Sequence, residues 1–106
     1  MTEERITNAS PADVEQWLKN GEVLLIEVRE PDEYAAARIP GALLYPLSTF
    51  DAKVLPRDGR RLVMQCAAGG RSLKAAQALL QAGHHHATHL AGGIKAWREA
   101  GKKVIP

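Results

Sequence analysis

The run Val23-Leu24-Leu25-Ile26 is apolar at every position and sits between Asn20-Gly21 and a charged stretch, which predicts a strand buried on both faces of a parallel sheet. Upstream, Ser10-Pro11-Ala12-Asp13 supplies a cap, a proline for the first helical position and an acid at the third. The helix it predicts turns Val14, Trp17 and Leu18 inward and stops at Asn20-Gly21. Pro31-Asp32-Glu33 starts a short helix through Ala37, which Ile39-Pro40-Gly41-Ala42 breaks before a strand at 43–45. Residues 48–53 have room for one helical turn. Past the charged turn at 57–61, Leu62-Val63-Met64-Gln65 forms another apolar run, the expected central strand, and it ends directly at Cys66. Ser72 is placed to cap a long helix over 73–82, with Leu73, Ala76, Leu79 and Leu80 on one stripe and Gly83 closing it. Residues 86–90 make the next strand, and Gly92-Gly93 leads into a last helix over 94–100 with Ile94 and Trp97 on one face. Strands alternating with helices at this spacing imply an α/β fold, a mainly parallel sheet flanked by helices on both faces. Ligands in such sheets gather beyond the carboxyl ends of the strands, where Cys66 stands.

Composition narrows the class. The chain has 106 residues, 45% hydrophobic and 25% charged with a net charge of +2, which suits one globular domain over residues 1–106 and excludes a disordered or fibrous chain. A single cysteine excludes an internal disulfide, a multi-cysteine zinc site and a CxxC dithiol, and it fits a reducing compartment. The amino terminus has no apolar signal core and no aliphatic run approaches a bilayer span, so the expected location is cytoplasmic, with no membrane partner. Charge is unevenly spread: residues 1–34 carry nine acids against three bases, residues 35–106 three acids against eleven bases. The bases are dispersed and only five aromatic residues are present, which argues against nucleic acid and for a small anionic partner of the basic part.

In Cys66-Ala67-Ala68-Gly69-Gly70-Arg71-Ser72 a thiol at a strand end is followed by four small residues, a cation and a helix cap. Small side chains let the loop curl and turn several backbone N–H groups toward one point, an anion nest. The positive end of the following helix adds about 0.3–1 kcal/mol when exposed and up to ~2 when partly buried. A free thiol titrates near about 8.5, and such surroundings lower it to roughly 3.5–7.5, so Cys66 is expected to be an accessible thiolate nucleophile at neutral pH. Arg71 is expected to anchor the loop or to grip the oxyanion of a donor. Replacing Gly69 or Gly70 by valine is expected to damage this nest more than the fold.

The chain resembles a single-domain rhodanese, the thiosulfate-type sulfurtransferase family, from about residue 6 to residue 104. Four stretches carry the resemblance: Leu25-Ile-Glu-Val-Arg-Glu-Pro-Asp-Glu-Tyr34, Arg38-Ile-Pro-Gly-Ala42, the loop 66–72, and Leu90-Ala-Gly-Gly-Ile-Lys-Ala-Trp97. It implies a five-stranded sheet with Cys66 at the head of the active-site loop. It also implies transfer of a sulfane sulfur from a small anionic donor such as thiosulfate, through a Cys66 persulfide, to cyanide or a thiol, including a protein thiol. No metal or organic cofactor is implied. Two positions depart from the family: Glu27 stands where aspartate is usual, and Arg38 replaces the commoner histidine, adding positive charge if it reaches the site. Both are candidate supporting residues around Cys66. Arg29, Glu30 and Glu33 read as a surface ion-pair cluster that ties down the short helix.

Two rivals differ in chemistry. Cysteine phosphatases share the layout but place five residues between cysteine and arginine; here there are four, a ring matched to one sulfur rather than to phosphate. A persulfide carrier serving a dedicated partner would present the same loop with little turnover alone. His84-His85-His86 with His89 read as a surface loop rather than a metal site, because consecutive side chains on an extended segment point to opposite faces.

Overall fold

The computed structural model describes residues 5–106. Five strands, β1 (Ile6–Ala9), β2 (Val23–Glu27), β3 (Leu43–Leu44), β4 (Arg61–Gln65) and β5 (Ala87–Leu90), alternate with four helices, α1 (Pro11–Lys19), α2 (Pro31–Ala36), α3 (Gly70–Gln81) and α4 (Gly93–Glu99). Every strand pairing is parallel and the order is β1-β5-β4-β2-β3, so β4 is central as expected.

Local chemistry explains the helix starts. Ser10 Oγ accepts the Asp13 N–H at 3.1 Å while Asp13 Oδ2 accepts the Ser10 N–H at 3.3 Å, which closes a capping box ahead of Pro11. At α2 the Glu33 carboxylate accepts the Glu30 N–H at 2.9 Å in the same way. Helix α3 departs from expectation. It begins at Gly70 with Gly69 as its cap at φ +115°, and Ser72 lies inside the first turn with its hydroxyl turned inward. Leu73 is only half-buried, and Ala75 takes its place in the buried stripe with Ala76, Leu79 and Leu80. Residues 48–53 fold as parts of two tight 3₁₀ turns, Leu47–Thr49 and Ala52–Val54, and β3 is a two-residue strand.

The sheet separates two apolar layers. On one side Ile26, Val28, Met64 and Cys66 pack under Ala75, Ala76, Leu79 and Leu80 of α3. On the other, Leu25, Val63 and Leu90 meet Val14 of α1 and Ile94 and Trp97 of α4. Chain β2 continues to β3 on one side while β4 continues to β5 on the other, so the loops after these adjacent central strands diverge. They diverge at the carboxyl ends of the strands, where Cys66 stands. Among the described residues no helix is long and apolar enough to cross a membrane.

Candidate active site

Cys66 follows β4 directly and is 1% exposed, so the accessible thiol expected is instead buried, in the apolar layer beneath α3. Its Sγ accepts the Gly69 N–H at 3.0 Å and lies 3.5 Å from Ser72 Oγ. Burial pushes the thiol up; hydrogen bonds from the Ser72 hydroxyl and from the amides of Ser72, Gly69 and Ala68 outweigh it, and the net pKa is lowered. Of the loop amides, that of Gly69 donates directly to the sulfur.

The loop carbonyls are held from behind. Ile94 N–H donates to the Cys66 carbonyl at 2.9 Å and Lys95 N–H to that of Ala67 at 3.1 Å, so the first turn of α4 pins the outward-facing side of the loop. Gly93 makes this approach possible: at φ +61° a side chain there would put its Cβ 2.4 Å from the Cys66 carbonyl oxygen. Gly69 needs its left-handed φ, whereas Gly70 has ordinary φ and open space around the position of a Cβ.

Arg71 anchors the loop. Its guanidinium donates to both oxygens of Glu33, at 2.7 and 2.9 Å, and this fork is already occupied within the chain. The Arg71 hydrogen bonds hold the Glu33 carboxyl down at about 2. The cluster expected among Arg29, Glu30 and Glu33 is corrected accordingly. Arg29 is buried, with its Nε 2.5 Å from Glu27 Oε2 and a further bond to the Ala37 carbonyl; Glu30 Oε1 accepts from Ser48 Oγ at 2.8 Å. Glu27 is fully buried and ties the end of β2 to Arg29; burial raises its pKa against the pull of Arg29, and its Oε1 has no partner. Arg38 bonds the Tyr34 carbonyl at 3.3 Å, lies over the Tyr34 ring at 5.0 Å and pairs by its backbone with Ile105, so these contacts are with the short helix and the chain end.

His89 is the residue that sequence reasoning misplaced. It is buried at 6% exposure, with Nδ1 2.9 Å from Ser72 Oγ and Nε2 2.8 Å from Asn8 Oδ1. The signal was a lone imidazole inside a short strand directly before Leu90, and it was obscured by the three histidines preceding it. Those three stand at the amino ends of the strands, beside an open cleft of about 450 Å³ bordered by Arg57, Arg61 and Leu79 and remote from Cys66. Among the described residues no three His, Cys, Asp or Glu side chains gather closely enough to hold a metal ion.

Residues 10–100 match the Rhodanese-like domain. The chain belongs to the rhodanese-like family. A rhodanese-related protein of Thermoplasma volcanium superposes with a TM-score of 0.79 at 31% identity, covering 93% of this chain and 97% of that one. A Rhodopseudomonas palustris structure described as a possible tyrosine phosphatase superposes at 0.84 with 26% identity, covering 98% and 88%. A sulfurtransferase of Allochromatium vinosum is 36% identical over 79% of each chain. Other relatives are longer. This chain spans 58% of an uncharacterised Synechocystis protein to which it is 37% identical over 98% of its own length. It spans 24% of a probable adenylyltransferase/sulfurtransferase of Mycobacterium tuberculosis, with 41% identity over 83% of this chain.

Proposed function

We propose that this rhodanese-like chain is a sulfurtransferase in which Cys66 is the nucleophile and the amides of 67–72 cradle negative sulfur. The observation that carries the reading is the Gly69 amide 3.0 Å from Sγ, in a loop whose donors outweigh the burial of the thiol. The Cys66 thiolate attacks the outer sulfur of thiosulfate, a new S–S bond forms, the old one breaks, and sulfite leaves with its electron pair. The persulfide anion stays in the nest, where preorganised N–H groups stabilise it without reorganisation. Cyanide or a thiolate then attacks the outer sulfur and regenerates the Cys66 thiolate. In this scheme Arg71 and Glu33 hold the loop closed, while Glu27 and Arg38 support the neighbouring strand and helix. Sulfur transfer is preferred to phosphate hydrolysis because four residues separate Cys66 from Arg71 and because the arginine fork is spent on Glu33. The single thiol fits a cytoplasmic setting.

A second reading, a persulfide carrier for a protein partner, is favoured by the Mycobacterium tuberculosis relative, in which the matching stretch is one part of a longer protein. The experiment is intact mass after thiosulfate. A gain of one sulfur that cyanide removes supports transfer, and its absence in C66S, which should stay folded, ties it to Cys66. Sulfur loading with slow thiocyanate release selects the carrier. Hydrolysis of an aryl phosphate without sulfur uptake would overturn both.

A further inference from the structure

Cys66 is buried, yet to become a nucleophile it must lose a proton, and the loop above it offers amide donors rather than bases. The sheet supplies a way out on the other side. Asn8, His89 and Met64 are successive partners across β1, β5 and β4, and Cys66 lies two residues beyond Met64, so all four project from the same face toward α3. There the Ser72 hydroxyl stands 3.5 Å from Sγ and 2.9 Å from His89 Nδ1, and His89 Nε2 stands 2.8 Å from Asn8 Oδ1. Asn8 is exposed on the edge strand β1. A continuous hydrogen-bonded line thus runs from the sealed sulfur to solvent.

We propose that His89 is a positioning residue for Cys66, drawing off its thiol proton through Ser72 and releasing it at the sheet edge beside Asn8. The inference rests on the reading of Cys66 as the nucleophile. In the thiol state His89 carries its proton on Nε2, bonded to Asn8 Oδ1, and Nδ1 accepts the Ser72 hydroxyl, whose oxygen accepts the S–H. The S–H bond then breaks as its proton joins Ser72 Oγ and the Ser72 proton joins Nδ1. The imidazolium gives its Nε2 proton to water at Asn8, whose amide turns to present an N–H in its place. His89 is left donating from Nδ1 to Ser72, and Ser72 donates to the thiolate. One proton moves from sulfur to solvent and nothing else is consumed. The same line offers an acceptor to the thiol and a donor to the thiolate or persulfide.

Ser72 has one proton and a competing acceptor, the Gly69 carbonyl at 3.1 Å, but His89 Nδ1 is nearer. The elements packed on His89 face it with Asn8 from β1, Met64 from β4 and Ser72 from α3, and Cys66 is the titratable group this line reaches. Burial lowers the His89 pKa with no charged side chain contributing, so the imidazolium is passing rather than resting, as a relay needs.

The test is the pH profile of Cys66 alkylation by iodoacetamide, read by mass, which requires no sulfur transfer. H89Q should raise the midpoint by about one unit, cutting alkylation at neutral pH roughly tenfold, with convergence on the unsubstituted protein in alkali. N8D, at an exposed position, places a carboxylate beside Nε2, favours the imidazolium and should lower the midpoint. It keeps the test decisive if H89Q fails to fold. Unchanged midpoints, or a uniform loss of reactivity at every pH, would overturn the relay. Failure of the unsubstituted protein to take sulfur from thiosulfate would instead strike the proposed function and leave the alkylation profiles standing.

Discussion

At the residue scale the nest depends on two glycines for different reasons. Gly69 supplies a backbone angle, φ +115°, that aims its own N–H at Sγ; Gly93 supplies absence of bulk, since a Cβ there would overlap the Cys66 and Ala67 backbone that α4 grips. Gly70 supplies neither. G93A is therefore expected to displace the loop, costing about 1–3 kcal/mol in urea unfolding together with most of the sulfur loading. G70A, in open space at the start of α3, should keep wild-type loading and gain up to about 1 kcal/mol from the loss of glycine flexibility. Similar loading by both variants would show that α4 does not shape the loop. Much of this was legible in the sequence, because a run of small residues after a strand has few other uses. The contact of Gly93 was not, since it joins positions almost thirty residues apart. His89 was hidden for a related reason: what makes an imidazole functional is the hydroxyl opposite it, and Ser72 reads by propensity as a helix cap.

Charge joins two of the helices around the site. Glu33 in the first turn of α2 and Arg71 in the first turn of α3 form a two-pronged pair with about a third of each side chain exposed, so solvent screens it and its worth is about 1 kcal/mol or less. Its effect is positional, fastening the loop between Cys66 and α3. The Glu33 carboxyl lies at about 2 in the folded chain against 4.5 unperturbed. A depressed acid stabilises the fold above the higher value, and that contribution fades as pH falls from 4.5 through about 2. Urea midpoints of E33Q measured across that window should fall less steeply with acid than those of the unsubstituted protein. At neutral pH E33Q should load sulfur more slowly and become less sensitive to salt; identical slopes would remove Glu33 from the account. The sequence showed α2 and its acids but assigned them to Arg29, because side chains near in sequence are the only neighbours a linear reading can see. Strand β1 shows the same limit. Ile6-Thr7-Asn8-Ala9 has no alternation of its own and becomes β1 through pairing with β5, some eighty residues later.

Across the whole molecule, an acidic first third and a basic remainder are brought together by the parallel topology. Two of the ion pairs among the described residues, Glu33 with Arg71 and Glu15 with Lys102, cross that divide. The larger stabilisation comes from the two apolar layers, and they share one wall: β2, β4 and β5 give alternate side chains to opposite faces. We propose that the chain folds as one unit for this reason, since neither layer keeps its sheet if the other melts. Leu25 belongs to one layer and Leu79 to the other, each 1% exposed. L25A and L79A should each cost about 2–5 kcal/mol, the range for emptying a buried leucine site. With the sheet between them and no shared cavity, the double variant should lose the sum within about 0.5 kcal/mol. Each variant should still unfold in a single urea transition when followed by tryptophan fluorescence, which reports the α1 and α4 side, and by far-ultraviolet dichroism. A second transition in L79A, with the Trp97 layer surviving the loss of the α3 layer, would show two units where the shared sheet requires one.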